Sequence, residues 1–268
     1  MSKKIGLIGA GNMAEALISG IIKSGINVKN IMVSDVNTKR LSIVAKRYRI
    51  RQSDCNIEIV KSCDIIFLAV KPYQVQDVLE EVGVYFNNKK LLISIAAGIN
   101  TSKIEKYLQN TAVIRSMPNT PALLGYGAIA ITKGKYANVT DLKIAEKLLC
   151  SCGVVVTVPE KDMDAVTAVS GSGPAYIFYI AEIMRKTARK MGLSANIAKI
   201  LVDMTLLGAS SMLITSEEEP EVLRQRVTSK GGTTEAAFKL LFSKKLGNIL
   251  EEAIISAKKR SKELAKKS

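Results

Sequence analysis

The stretch Ile5-Gly-Leu-Ile-Gly-Ala-Gly-Asn-Met-Ala-Glu-Ala16 decides the fold of the first part of the chain. A short apolar run enters a GxGxxA turn, and apolar residues at helical spacing follow it at once. In a βα unit that binds a dinucleotide, Gly9 allows the tight turn, Gly11 lets backbone N–H groups approach the pyrophosphate, and Ala14 lets the helix pack close to the strand. The phosphates then lie at the positive end of the helix. This order of strand, turn and helix predicts a site for NAD(P).

Apolar strands alternate with amphipathic helical patterns through the residues that follow. This alternation predicts an α/β domain with a parallel, doubly wound sheet. The expected strands are Lys4–Ile8, Ile31–Ser34, Ile65–Ala69, Leu91–Ile95, Val113–Ser116, Ala128–Thr132 and Val154–Val158.

After Pro159 the pattern changes to one helix after another, punctuated by glycine and proline. We therefore predict a dinucleotide-binding domain over residues 1–160 and an all-helical domain over residues 161–268. Helices of the second part carry apolar residues on more than one face, which is typical of a dimer interface. The alternative is that these residues fill the core of the bundle itself. Examples are Ile197, Ile200, Leu201, Met204, Leu207 and Met212.

Composition narrows the function classes. The net charge of +15 is spread along the chain, aromatic residues make up 5%, and there is no tryptophan to stack on bases, so we expect no nucleic-acid partner. The densest cationic segment, residues 258–267, is interpreted as a solvated helix end. No uninterrupted apolar run reaches the roughly 18 residues of a membrane span. The chain starts directly with a strand, which leaves no room for a signal peptide. We expect a cytoplasmic protein without a membrane partner.

The chain contains no histidine, which excludes imidazole bases, Ser–His–Asp triads and histidine-ligated metals. The four cysteines lack a pair of CxxC motifs, so we expect no metal site and a reducing compartment. Cys150-Ser-Cys152 could form a redox pair, but buried small residues near a helix end are the preferred interpretation.

Three segments follow predicted strands and should meet at one edge of the sheet, where α/β folds bind ligands. In Ala69-Val-Lys-Pro72, the Lys71 side chain could touch cofactor phosphate, ribose or amide. Ala96-Ala-Gly98 ends the next strand. In Met117-Pro-Asn-Thr-Pro121, two prolines fix a rigid loop that could present the Asn119 amide.

Two glycine-rich segments occur in the helical part. Ser170-Gly-Ser-Gly-Pro174 should interrupt a helix and open backbone N–H groups. Ser229-Lys-Gly-Gly-Thr-Thr234 precedes another helix, where N–H groups, hydroxyls and the helix dipole could bind an anion. The alternative for the second segment is simple N-capping by a threonine.

These motifs together closely resemble pyrroline-5-carboxylate reductases, and the resemblance covers essentially the whole chain. The matching segments are Gly9–Ala14, Val70–Pro72, Ile95–Gly98, Met117–Ala122, Ser170–Tyr176 and Val227–Ala236. The resemblance implies the final step of proline biosynthesis, in which NADPH or NADH reduces 1-pyrroline-5-carboxylate to L-proline. It also implies a Rossmann domain, a helical dimerisation domain and an active site between them. The expected assembly is a homodimer or a higher assembly of dimers.

The resemblance also implies roles for particular residues. Thr234 would hydrogen-bond the ring nitrogen of the substrate, and Glu217 is a weaker candidate near the iminium. The substrate would be held by Ser229, Gly231, Gly232, Thr233 and Ser172. The cofactor would be held by Gly9, Gly11, Asn12, Met13, Ser34, Asp35, Ala69, Val70, Lys71, Pro72, Ala97, Gly98 and Asn119.

The sequence leaves the choice between NADH and NADPH open. Asp35 lies 24 residues beyond Gly11, where a carboxylate usually accepts both ribose hydroxyls and repels a 2′-phosphate. Ser34 and residues 37–40 could instead bind a phosphate if Asp35 turns away. The family generally accepts NADPH, so we expect both dinucleotides to work.

Several residues depart from the family pattern. Lys230 stands where a proline is usual, Ala168-Val169 replace a common Gly-Leu, and Tyr126 stands where an acidic residue is frequent.

Two alternative functions stay open. One is a reductase of the 3-hydroxyacid dehydrogenase type, which normally needs a lysine in the first helix of the second domain, where this chain offers Lys186. The other is a non-catalytic paralogue that binds a dinucleotide.

Overall fold

The first part of the chain forms one eight-stranded sheet in a computed structural model that describes residues 3–267. The strand order is β3-β2-β1-β4-β5-β6-β7-β8. The strands are β1 (Ile5–Ile8), β2 (Ile31–Ser34), β3 (Arg51–Ser53), β4 (Ile65–Leu68), β5 (Leu91–Ser94), β6 (Ala112–Met117), β7 (Gly127–Lys133) and β8 (Gly153–Thr157). All seven predicted strands are present, and each end lies within one residue of the prediction. The predicted α/β class is confirmed.

Two features of the sheet differ from the prediction. The edge strand β3 was not expected, because Arg51 and Gln52 are polar and exposed and give no apolar signal. Strands β6 and β7 pair antiparallel, whereas every other pair is parallel. Residues 118–126 connect β6 to β7, which is shorter than the dozen or so residues that a parallel crossover needs.

Helices cover both faces of the sheet, which explains why its central strands are continuous apolar runs. Leu7, Phe67 and Ile93 belong to one buried cluster, and their chain neighbours Ile8, Ile66 and Leu92 belong to the other. The helices of this part are α1 (Asn12–Lys23), α2 (Thr38–Tyr48), α3 (Asn56–Ser62), α4 (Val75–Val82), α5 (Thr101–Glu105), α6 (Val139–Leu149) and α7 (Met163–Val166).

The chain forms two compact units. The first unit contains the residues up to Ser172 together with those from Ser256 onward, and the second unit is Gly173–Ile255. The second unit is helical, as predicted for the later part of the chain. The boundary at residue 160 between a dinucleotide-binding domain and an all-helical domain stays a prediction. The remaining helices are α8 (Gly173–Lys190), α9 (Ala195–Thr215), α10 (Pro220–Arg226), α11 (Thr233–Ser243) and α12 (Leu246–Lys267).

The end of α12 is anchored in the first unit. Ser261 is 4% exposed and its hydroxyl donates to the Asp164 carboxylate at 2.7 Å. The Lys103 ammonium donates to the carbonyl of Ala265. The cations at 258–260 and 262 are exposed, as expected, but this helix end is packed rather than a free tail.

The second unit buries little of its apolar surface within one chain. Across Gly173–Ile255, which the structure describes in full, the buried apolar side chains are Ala188, Ala198 and Val202. The six apolar residues singled out above, from Ile197 to Met212, are 47% to 59% exposed. They therefore do not fill a core of this unit, and a face of this kind needs a partner.

Helix α9 is the one helix of the described residues that is long and apolar enough to cross a membrane by length and composition. Its sequence is not an unbroken apolar run, because Lys199 and Asp203 interrupt the pattern. The Lys199 ammonium lies 3.0 Å from the Asp203 carboxylate, which also pairs with Arg185 of α8. Charges are costly at the centre of a bilayer, so a helix–helix interface suits α9 better.

We predict that Leu207→Glu, in the middle of α9, weakens self-association, because a charge would be buried in an apolar contact. Sedimentation velocity at micromolar protein should show a dimer or larger species for the parent and a shift toward monomer for the variant. The matched control is Ile43→Glu in α2, since Ile43 is 52% exposed and Leu207 is 58% exposed. A monomeric parent would contradict the prediction.

Candidate active site

A cleft of about 480 Å³ opens at the carboxyl edge of the sheet, where β1, β4, β5 and β6 end. The three predicted strand-end segments meet there, as expected from the shared edge of neighbouring strands. The predicted cofactor residues that line it are Gly9, Gly11, Asn12, Met13, Asp35, Ala69, Val70, Lys71, Pro72 and Ala97.

The glycine turn has the form that a pyrophosphate requires. Gly9 has a φ of +104°, and a Cβ there would lie 2.6 Å from the carbonyl oxygen of Ala69. At Gly11 a Cβ would meet nothing within 4 Å, so this position is open. Gly11 also precedes α1, and no side chain of the described residues caps that helix. Its first N–H groups are therefore available to an anion. The turn fits a dinucleotide.

Backbone bonds on both sides of Ala10 fix this turn. The Ala10 N–H donates to Oδ2 of Asp35 at 2.6 Å. The Ala10 carbonyl accepts from Nε of Arg40 at 2.8 Å. The other Asp35 oxygen accepts from the Asn37 N–H at 2.7 Å. The side chains that follow β2 thus hold the turn that follows β1.

Glu15, in the first turn of α1, holds Arg40 in place. Its carboxylate accepts from Arg40, from Arg47 at 2.5 Å and from the Tyr48 hydroxyl at 3.2 Å. Burial by itself would raise the pKa of Glu15, but the hydrogen bonds from Arg40 and Arg47 outweigh it and lower the pKa. The sequence did not reveal this group, because its members are 25 to 33 residues apart.

Three predicted cofactor residues do not line the cleft: Ser34, Gly98 and Asn119. The Ser34 hydroxyl donates to Oδ1 of Asn56 at 2.8 Å, and Asn56 itself lines the cleft. Gly98 has a φ of +76°, and a Cβ there would lie 3.5 Å from the Ala265 N atom. Asn56 was missed in the sequence, where it is one polar residue at the start of a helix without a motif.

Asn119 is a structural residue in this fold. Its Nδ2 donates to the Ser170 carbonyl at 3.1 Å, and its Oδ1 accepts from the Ala128 N–H at 2.9 Å. The residue is 8% exposed. Both polar atoms of the side chain are used inside the fold, so the expected presentation of its amide to the cofactor is not seen. The neighbouring Met117, Pro118 and Thr120 line the cleft instead.

The segment from Ser170 does not form the expected loop. Residues Thr167–Gly171 form a π-helical turn, and the Ser172 N–H donates to the Thr167 carbonyl at 2.9 Å. Gly171 permits close packing, because a Cβ there would lie 2.6 Å from the Met117 methyl carbon. The N–H of Ser172 is therefore used within the turn, and its half-buried hydroxyl is the remaining candidate donor.

In the second unit, the Ser229–Thr234 turn is shaped by its own hydrogen bonds. Gly231 has a φ of +73°, and its N–H donates to Oε2 of Glu235 at 2.7 Å. The Gly232 N–H donates to the Ser229 carbonyl at 3.0 Å. The glycine N–H groups are thus used within the turn. The hydrogen bond from Gly231 also lowers the pKa of Glu235.

The alternative that a threonine caps α11 is wrong. Gly232 is the N-cap residue, no side chain of the described residues caps the helix, and both threonines lie inside its first turn. Their N–H groups point along the helix axis toward its N-terminus. Glu217 is exposed in the segment between α9 and α10, and no hydrogen bond joins it to the turn in the described residues.

The cysteines are free thiols. Burial raises the pKa of Cys63 to about 11 and also raises that of Cys152, so both thiols are unreactive. Within the described residues, no cluster of three acidic or cysteine side chains could hold a metal ion.

We predict that alanine at the two glycines of the turn affects two different properties, dinucleotide affinity at Gly11 and thermal stability at Gly9. Gly11→Ala should leave the melting temperature unchanged but weaken dinucleotide affinity by about tenfold or more, because a methyl group would occupy the space that the pyrophosphate needs. Gly9→Ala should lower the melting temperature, because it combines a positive φ with a clash against Ala69. Differential scanning fluorimetry and dinucleotide titration separate the two effects. Unchanged affinity in Gly11→Ala would mean that this is an ordinary turn.

We predict that Glu15 stabilises the fold in a pH-dependent way. Folding lowers the pKa of the Glu15 carboxyl below its ordinary value of 4.5. The contribution of Glu15 to the free energy of unfolding is therefore complete above pH 4.5 and is lost as the pH falls through the lower pKa of the folded state. Glu15→Gln should reduce the free energy of unfolding by about 1–3 kcal/mol at pH 7, and by less at pH 3. Urea unfolding of the parent, Glu15→Gln and the exposed control Glu146→Gln measures this. A difference that is independent of pH contradicts the assignment.

Comparisons with known proteins agree with this geometry. Residues 160–264 match the family model described as pyrroline-5-carboxylate reductase dimerisation, and residues 4–98 match that described as NADP oxidoreductase coenzyme F420-dependent. A protein of Bacillus spizizenii named pyrroline-5-carboxylate reductase 1 is 40% identical, with 98% of this chain and 90% of the relative covered.

Two solved structures are also similar. A pyrroline-5-carboxylate reductase of Coxiella burnetii is 35% identical, with a TM-score of 0.91 over 98% of this chain and 99% of that one. A pyrroline carboxylate reductase of Plasmodium falciparum with NADP bound is 32% identical, with a TM-score of 0.89 over 98% of each chain. Identity of this extent over nearly the whole length shows common descent. The chain belongs to the pyrroline-5-carboxylate reductase family.

Proposed function

We propose that this chain reduces 1-pyrroline-5-carboxylate to L-proline with NADH or NADPH, in the last step of proline biosynthesis. The observation that carries the proposal is the open glycine turn at Gly11, which lies in a cleft lined by ten of the predicted cofactor residues. Membership of the family supplies the substrate. The relative with NADP bound supports a nicotinamide dinucleotide as the cofactor.

The reaction suits a chain without histidine. The protonated substrate is a cyclic iminium, whose positive charge already attracts hydride, so no enzymatic proton donor is required. The bound nicotinamide supplies the hydride. The protein must orient the imine carbon, hold the carboxylate and exclude water. Backbone N–H groups, hydroxyls and the cleft wall are sufficient for these tasks.

We assign the carboxylate to the turn that precedes α11. A carboxylate leaves water at low cost only when it is hydrogen-bonded. The N–H groups of Thr233 and Thr234 and the Ser229 hydroxyl would donate such bonds, and the dipole of the eleven-residue helix would stabilise the negative charge. Gly231 and Gly232 shape the turn rather than donate to the ligand. Thr234 would bind the ring nitrogen, with Ser172 and Glu217 as further candidates near the substrate.

On the dinucleotide side, Lys71 and Pro72 would border the nicotinamide. Pro72 begins a short 3-10 helix, and the Lys71 N–H donates to Oε1 of Gln74 at 3.2 Å, which fixes the direction of this segment. The Lys71 side chain is exposed at the cleft and can touch phosphate, ribose or amide. Asn119 would act indirectly, by holding the Met117–Thr120 loop in place.

We further propose that the working form is a cytoplasmic homodimer, or a higher assembly of dimers, without nucleic acid, membrane or metal as a partner. The exposed apolar residues of α8 and α9 support a second copy of the chain as the partner. The match to a dimerisation domain over residues 160–264 supports the same conclusion.

The two alternatives have less support. Lys186 is the lysine that a 3-hydroxyacid dehydrogenase mechanism would use, but it is 68% exposed and its hydrogen bond with Glu182 raises its pKa. A cation of this kind on a helix surface is a poor general acid or base. A non-catalytic paralogue would bind the dinucleotide without turnover. Steady-state assays with 1-pyrroline-5-carboxylate and each reduced dinucleotide distinguish it, and proline formation is the expected result.

We predict that Thr234→Ala lowers kcat by about 10- to 100-fold, because one oriented hydrogen bond of about 1.5–3 kcal/mol is lost in the transition state. Ser229→Ala and Thr233→Ala should mainly raise KM for the imine and leave dinucleotide affinity unchanged. The matched control is Thr228→Ala, since the Thr228 hydroxyl donates to the Arg224 carbonyl in the preceding helix. If Thr234→Ala and Thr233→Val both turn over like the parent, the substrate site lies elsewhere.

A further inference from the structure

Two ionisable side chains with opposite charge flank Ala10 beside the dinucleotide cleft. Asp35 accepts from the Ala10 N–H and lines the cleft. Arg40 donates to the Ala10 carbonyl and does not line the cleft. The cation and the anion are therefore separated by the backbone of a single residue.

These two charges suit different dinucleotides. A carboxylate at the end of β2 accepts hydrogen bonds from ribose hydroxyls, as in NADH. An arginine at the same place pairs with the 2′-phosphate of NADPH, since a guanidinium binds phosphate oxygens with two parallel bonds. The balance between the cofactors thus depends on which of the two side chains is free to reach the ribose.

The bonds of Arg40 hold its guanidinium on the glycine turn and on the first turn of α1. Nε is bonded to the Ala10 carbonyl, and Nη2 donates to Glu15 and, at 3.4 Å, to Oδ1 of Asn12. All three acceptors belong to the glycine turn or to the first turn of α1. The side chain is 26% exposed. In this position Arg40 fixes the turn and does not line the cleft.

Glu15 supplies the charge that holds Arg40 there. Its side chain is 12% exposed and its carboxylate is shared between Arg40 and Arg47, with Tyr48 as a third donor. A charge-assisted bond at a buried carboxylate is stronger than a neutral one, so loss of the Glu15 charge weakens the hold on Arg40. What then holds Arg40 is the bond to the Ala10 carbonyl and the longer contact of 3.4 Å with Oδ1 of Asn12.

We propose that Glu15 is a positioning residue for cofactor selectivity, which keeps the Arg40 guanidinium on the glycine turn and away from the 2′ position of the ribose. The proposal rests on the proposed function only in that a nicotinamide dinucleotide binds the cleft. Arg40 is a latent 2′-phosphate ligand in this chain, and the Glu15 charge decides whether it acts as one.

The experiment is calorimetric titration of NADH and NADPH into the parent, Glu15→Gln, Glu15→Ala, Arg40→Ala and the double variant Glu15→Gln/Arg40→Ala. In both Glu15 variants the ratio of the NADH to the NADPH dissociation constant should rise by about fivefold or more. Arg40→Ala alone should weaken both dinucleotides and leave their ratio within about twofold of the parent value. The double variant should lose the gain in NADPH affinity.

Arg47→Ala is the matched control, because it removes a partner of the same carboxylate that does not contact the glycine turn. It should leave the ratio unchanged. An unchanged ratio in both Glu15 variants overturns the proposal. So does a selective loss of NADPH affinity in Arg40→Ala, since Arg40 would then already bind the phosphate in the parent. Binding is measured without an imine, so a chain that fails to make proline still tests this proposal independently.

Discussion

Ala10 is bonded through both of its backbone polar groups, its N–H to Asp35 and its carbonyl to Arg40. These bonds join the end of β2 and the start of α2 to the glycine turn, and Glu15 extends the same group to Arg47 and Tyr48. Gly9 lies so close to Ala69 that a side chain would clash with it. The turn is therefore held on both sides before any ligand arrives, and a fixed set of N–H groups costs little reorganisation when an anion binds.

The sequence predicted the elements whose signal is local. Central strands such as β1 and β4 are covered by helices on both faces, so they appear as apolar runs, and the glycine turn has its own motif. Strand β3 was missed because its exposed residues are polar. The roles of Asn119 and Glu15 were missed because they depend on partners 9 to 51 and 25 to 33 residues away, respectively. Spacing in the sequence carries no information on such contacts.

In the second unit, the sequence indicated an apolar surface that the single chain does not bury. Its apolar excess is visible in the sequence of α9, and the single chain leaves that surface half exposed. At the Ser229–Thr234 turn, the sequence indicated the helix N-terminus but not the bonds of Gly231 and Gly232, since these depend on the positive φ of Gly231 and on Glu235. Fewer backbone N–H groups of this turn are consequently free than the glycine pattern alone suggests.

Transfer of the label from a reduced dinucleotide deuterated at C4 of the nicotinamide tests the central claim most directly. The chain would be incubated with 1-pyrroline-5-carboxylate and either dinucleotide, deuterated on the transferred face, and the product analysed by mass spectrometry and NMR. The account predicts L-proline with one deuterium on the ring carbon that was the imine carbon. Oxidation of the dinucleotide without labelled proline, or binding without turnover, would contradict it.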